Sequence, residues 1–161
     1  MIPDAIAGEF ADPFGRLPGA IVMLRLGASA VFGALIGWER ESRDKPAGLR
    51  THILVSVAAC LFTLIALDLM DTIRGDHIRA DPIRLIEAVT AGVAFLAAGA
   101  IIKAGGSVQG LTTGAGLWMA GAMGLAAGTG RIILAAIAAA LAIVVLWLLR
   151  VIEDAVERRG K

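Results

Sequence analysis

TTGAGLWMAGAMGLAAGTGRIILAAIAAALAIVVLWLL, residues 112–149, carries a single charged side chain, Arg131. A soluble helix pair of that length needs a polar face, so the stretch reads as two membrane spans, 112–129 and 131–149, divided by a tight turn at Gly128 to Arg131. Toward the N-terminus, apolar segments recur at 84–102, 51–68 and 19–37. Each is close to the roughly 20 residues that a spanning helix needs. An open sheet would leave backbone groups unpaired in lipid, so the spans are expected to be helices. The predicted fold is all-α: a polytopic integral membrane helical bundle of about five transmembrane helices. A four-span reading, with the last two segments handled differently, is the alternative. The expected layout is a short extracytoplasmic tail over 1–18, a transmembrane domain over 19–150 and a short cytoplasmic tail over 151–161.

Composition agrees with lipid as the solvent. Of 161 residues, 58% are hydrophobic and 18% charged, more apolar surface than a soluble core of this length hides. The formal net charge is +1, from 15 Lys and Arg against 14 Asp and Glu, which gives no electrostatic footprint for nucleic acid. The one cysteine, Cys60, sits in an apolar run, which excludes an intramolecular disulfide and a cysteine-rich metal site. The first residues carry Asp4, Glu9 and Asp12 but no positive charge before Arg16, the opposite of a secretory leader. No solenoid-period repeat is visible, and five spans do not divide into two inverted halves.

Charge placement sets the expected orientation. With the first loop inside, the inner parts hold Arg40, Arg43, Lys45, Arg50, Lys103, Arg150, Arg158, Arg159 and Lys161, and the outer parts Arg16, Arg74, Arg79, Arg84 and Arg131. That excess predicts the N-terminus out and the C-terminus in the cytoplasm.

Polar and small residues gather in three places. The run from Gly37 to Thr51 holds Glu39, Arg40, Glu41, Arg43, Asp44, Lys45 and Arg50, with Pro46 and Gly48 marking a turn. It reads either as a generic positive-inside loop or as a face on which Glu39, Arg40, Glu41 and Arg50 pair and bind a partner or ion. The second stretch, Glu87 to Gly99, places Glu87, Thr90, Ala91, Ala94 and Ala98 on one helical face. Glu87 is a protonatable or cation-binding carboxylate, or else an interfacial residue one turn from Arg84. Arg25, in the first span, is a candidate partner for Glu87, and Asp68 belongs to the same outer belt. The third stretch runs from Lys103 to Trp118. Its Gly105, Gly106 and Gly110 suggest a tight turn or an anion nest, with Thr112 and Thr113 as helix caps, but it lacks the spacing of a P-loop.

Small residues at helix-packing spacing are plentiful: Gly33 with Gly37, Gly110 with Gly114, and Gly124 with Gly128, together with Gly92 and Gly99. They serve folding or dimerisation equally well. In the outer loop, Asp71, Asp76, His77 and Asp81 supply oxygen and imidazole groups, but alternation with Arg favours a solvated loop over a Mg²⁺ site, and the metal question stays open.

Three segments, GALIGWERESRDKPAGLRTHILV, AVTAGVAFLAAGAII and VQGLTTGAGLWMAGAMGLAAGTG, in that order and spacing, resemble the membrane domain of the MgtC/SapB family, from about Leu24 to about Leu149. Departures are Ala94 and Ala97 where family members usually read glycine, Gln109 where Arg is common, and Ala88 where a polar residue is frequent. The soluble domain that many members carry after the spans is not expected here.

The resemblance implies a bacterial inner-membrane protein tied to growth under magnesium limitation and, in pathogens, to survival inside phagocytes and virulence. Members look like regulators that contact other membrane proteins, including the F-type ATP synthase. On that reading Glu39, Arg40, Glu41, Lys45, Arg50, Thr112, Thr113 and Trp118 form a functional cluster on the cytoplasmic face. The competing expectation is a small oligomeric Mg²⁺ or H⁺ channel or transporter lined by Arg25, Asp68 and Glu87. No nucleophile, base and oxyanion grouping can be assembled, so an enzyme is not expected. Nor is a cofactor. The expected partners are membrane lipids, other membrane proteins and further copies of the chain, not nucleic acid.

Overall fold

The computed structural model describes residues 14–15, 17–72, 81–104 and 107–159. Five helices follow one another: α1 (Gly19–Glu41), α2 (Leu49–Thr72), α3 (Pro82–Gly99), α4 (Leu111–Gly128) and α5 (Ile132–Arg159). A short antiparallel hairpin, β1 (Ile102–Ala104) and β2 (Ser107–Gln109), joins α3 to α4, with Lys103 opposite Val108. The chain is therefore an all-α membrane bundle, its helices standing where the apolar segments lie. By length and composition α1, α2 over Leu49–Met70, and α3 can each cross a bilayer, and α5 contributes the shorter apolar stretch Ile132–Leu148. Helix α5 continues to Arg159, so residues 151–159 extend it as helix.

Local chemistry sets the boundaries. The Asp81 side chain accepts a hydrogen bond from the Ile83 amide at 2.9 Å, and Pro82 occupies the first turn of α3, where no amide hydrogen is needed. Gly110 opens α4 at φ +86°, a conformation that costs a side chain dearly, and its carbonyl accepts from the Gly114 amide at 2.8 Å. No side chain caps α4, which corrects the capping role expected of Thr112 and Thr113: both fall inside the first turn. Between α4 and α5, Gly130 at φ +81° donates to Ala127 O and Arg131 to Ala126 O, the two bonds of a Schellman stop. The connection is thus as tight as the sequence requires.

Helix α4 is the centre of the bundle and touches each of the other four helices. It runs parallel to α2 and antiparallel to α1 and α3, as the approaches described below require. The core around it comprises Phe32 and Ile36 from α1, Val55 from α2, Val93 from α3, Leu117, Ala120 and Met123 from α4, and Ala135 and Ala139 from α5. A second cluster of Val22, Cys60, Leu64 and Ala127 closes the end at which α4 stops.

Candidate functional site

The α1–α2 loop end gathers most of the charge. Glu39 is held by two arginines: Arg40 Nε donates to its Oε2 at 2.6 Å, and Arg43 Nε lies 2.7 Å from its Oε1. Arg40 is 4% exposed and Glu39 18%, so this is a partly desolvated clamp, stronger than a surface pair of the same geometry. Asp44 takes the left-handed conformation, φ +51°, that turns the chain. Glu41 then reaches across the loop, its Oε2 accepting from the Leu49 amide at 2.9 Å, which satisfies one of the orphan donors of α2 and favours the helix dipole. Lys45 and Arg50 are exposed and border, with Glu41, Asp44 and Thr51, a polar depression of about 510 Å³.

The other members of the expected cluster differ in exposure. Thr113 is buried and Thr112 exposed at the start of α4. Trp118 is 54% exposed and lines an apolar groove between α3 and α4 with Thr90, Val93 and Met119. It belongs to the lipid-facing flank, because α4 has by then turned its indole away from the loop.

At the opposite end the expected partnership of Arg25 with Glu87 is not formed. Arg25 Nη1 donates to Gly128 O at 2.7 Å, which pins α1 to the last carbonyls of α4, where the helix dipole favours a cation. Asp68 lines the same cavity as Arg25, about 630 Å³ in volume, and its carboxylate rests where a Gly15 Cβ would stand. Glu87 is exposed on α3 and is not part of that cavity. Thr90 Oγ1 donates to the Ile86 carbonyl within its own helix. The three residues expected to line a path therefore do not line one within a single chain.

The glycines divide by what they face. A Cβ at Gly33 would stand 2.6 Å from His52 O, and one at Gly37 2.7 Å from Leu49 Cα, so α1 and α2 meet backbone to backbone. A Cβ at Gly124 would overlap the Ser56 carbonyl, and one at Gly128 would stand 2.6 Å from Thr63 Cβ. Gly110 abuts the Ala100 carbonyl. Gly92 and Gly99 are different, because a Cβ at either would meet nothing within 4 Å among the described residues, and this corrects the packing role expected of them within the chain.

Sequence reasoning passed over the polar side chains between α1, α2 and α4. His52 is fully buried; its Nδ1 lies 2.8 Å from Gly48 O, and Nε2 has no hydrogen-bond partner among the described residues. Because a carbonyl only accepts, Nδ1 carries a hydrogen, and in the neutral ring Nε2 is then a bare lone pair. It points at α4, where a Gly116 Cβ would stand 3.0 Å away. Ser56 Oγ donates to Ser29 O at 2.8 Å, Ser29 Oγ to Leu26 O at 2.7 Å and Thr63 Oγ1 to Ala59 O at 2.7 Å. The signal was present as polar residues at 52, 56 and 63, the spacing of one helical face, in an otherwise apolar segment. Of the outer-loop oxygens, Asp81 caps α3, whereas Asp76, His77 and the Asp71 side chain lie outside the described residues. Gly105 and Gly106 also lie outside them.

A glycine-packed helical bundle with a charged loop end defines a small polytopic membrane protein. No solved structure matches it. The MgtC family profile matches residues 26–155, and the chain belongs to the MgtC family. Among its relatives, protein MgtC of Brucella melitensis is 40% identical over 139 residues, 84% of this chain and 56% of that protein. Protein SapB of Bacillus subtilis is 38% identical over 111 residues, 68% of this chain and 48% of that protein. YhiD of Escherichia coli K12, provisionally described by name as a magnesium transporter, is 38% identical over 109 residues, 67% of this chain and 51% of that protein. The chain thus spans about half the length of these curated relatives.

Proposed function

We propose that this protein is a non-catalytic regulator of the bacterial inner membrane that supports adaptation to low magnesium by contacting other membrane proteins through its α1–α2 loop end. The N-terminus faces outward and the C-terminus the cytoplasm, so that Lys45 and Arg50 meet partners on the cytoplasmic side. The observation that carries this reading is the division of polar groups. Those in the interior mostly bond to backbone carbonyls, as Ser29, Ser56, Thr63 and Arg25 do, whereas Lys45, Arg50 and Asp44 stand exposed around a polar depression. Charges so placed suit docking, in which they steer encounter and fix register. The F-type ATP synthase is the partner class that family resemblance suggests.

The second reading, an oligomeric Mg²⁺ or H⁺ channel, draws on the description of YhiD and on Glu87. Since Arg25, Asp68 and Glu87 do not line one path in a single chain, such a route would run between copies. The two readings separate in liposomes. Purified protein should give no Mg²⁺ or H⁺ flux above empty vesicles, while photo-crosslinkers at Lys45 and Arg50 capture a membrane protein in cells. Flux that Glu87→Gln abolishes would overturn the regulator.

A further inference from the structure

Helix α3 is the least enclosed of the three helices long enough to cross the membrane: 6% of its most apolar window is buried, against 28% for α1 and 33% for α2. Its inward side is set by Val89, Val93 and Ala97, which pack on the bundle core or are buried. At about 100° per residue, Arg84, Glu87, Ala91, Ala94 and Ala98 cluster within a narrow stripe on the outward side, and all five are exposed. Their spacing alternates three and four residues, the seam of a helix that coils around a like neighbour. Neither Arg84 nor Glu87 forms an ion pair among the described residues.

We propose that this seam is the interface between two copies of the chain, related by a two-fold axis along the membrane normal, with Arg84 of each copy paired to Glu87 of the other. Such an axis sets identical residues at the same depth. The two charges are three residues apart, about 4.5 Å along the helix, so each guanidinium reaches the opposing carboxylate and two reciprocal pairs form. Below them the seam holds only alanine at 91, 94 and 98, which lets the backbones come close in lipid, where small side chains rather than water exclusion drive association. The charge pattern selects the occupant. A foreign helix would need a complementary acid and base at this spacing, whereas a second copy supplies both by symmetry. The pairing also removes an exposed carboxylate from lipid, a costly placement when it stands alone.

The test uses the full chain in native membrane vesicles, in a Cys60→Ala background. Ala94→Cys and Ala98→Cys should form disulfide-linked dimers under mild oxidation, at least about tenfold faster than Ile137→Cys or Leu141→Cys on the exposed side of α5. With Ala94→Cys retained, Glu87→Arg alone and Arg84→Glu alone should each lower cross-linking by about tenfold, and co-expression of the two, differently tagged, should restore it between unlike chains. Rescue by mixing cannot come from a variant that fails to fold. Seam cysteines that link no faster than those of α5, or mixed variants that stay unlinked, would overturn the proposal.

Discussion

Gly124 offers the sharpest test of how the bundle is held together. A Cβ at this position would overlap the Ser56 carbonyl oxygen and stand 2.8 Å from its carbon and 3.0 Å from Ala59 Cβ. The obstacle is backbone, which cannot swing aside as a side chain does, so Gly124→Ala must drive α4 away from α2 by roughly 1 Å. A gap of that size forfeits a quarter to a half of the dispersion energy along the contact, and overpacking of this kind costs about 3 kcal/mol. Alanine's better helix propensity returns about 1 kcal/mol, so the net loss is about 2 kcal/mol. Gly92→Ala is the matched control. Its Cβ would meet nothing within 4 Å, so only the propensity gain remains, up to about 1 kcal/mol of stabilisation. Unfolding of both variants by SDS in mixed micelles, followed by circular dichroism, reads the two signs directly. Equal stability of Gly124→Ala and Gly92→Ala would refute the reasoning, because it would mean that α2 and α4 do not meet backbone to backbone.

Further expectations follow from single bonds. Arg25→Met removes the 2.7 Å bond to Gly128 O and should cost about 1.5–3 kcal/mol, while Lys45→Gln, on the exposed loop, stays within about 0.5 kcal/mol; SDS titration of both distinguishes a helix lock from a surface group. Glu41→Ala leaves the Leu49 amide without its 2.9 Å partner and should cost about 1 kcal/mol, visible as faster hydrogen exchange confined to the first turn of α2. Ser56→Ala should cost about 1 kcal/mol in the same titration, as its 2.8 Å bond to Ser29 O crosses between α1 and α2.

The helices were legible because lipid leaves few options. An apolar run of about 20 residues must become a helix, and the turn from Gly128 to Arg131 announces where one ends and the next begins. Family membership was legible as well, from ordered motifs in the first, third and fourth spans. What the residues could not reveal was direction. Gly92 and Gly128 look alike in the chain, yet only Gly128 meets a neighbour, because facing depends on where α4 sits among the other helices. Arg25 looked like a partner for a carboxylate but bonds to a carbonyl, since a helix end 103 residues away supplies acceptors that no side-chain pattern records. Trp118 follows a threonine pair that opens α4, yet helical rotation turns it to the flank. The hairpin between α3 and α4 was hidden for another reason: three-residue strands carry too short an alternation to read.

His52 shows how far stability and function can be separated in such a core. Its ring contributes one bond, to Gly48 O at 2.8 Å, and leaves one buried acceptor, Nε2, unmet. Removing the bond costs about 1 kcal/mol, and removing an unmet buried acceptor returns a similar amount, so a side chain of comparable volume without either group should be nearly neutral. His52→Leu is therefore expected within about 1 kcal/mol of the parent. His52→Ala, which empties a fully enclosed space between α1, α2 and α4, should lose about 2–4 kcal/mol. If the leucine variant is instead as damaged as the alanine variant, the lone pair has a partner and the accounting fails. On the proposed function, a leucine variant that folds as well as the parent but fails to restore growth at low magnesium would mean that the imidazole is held for its chemistry rather than for packing.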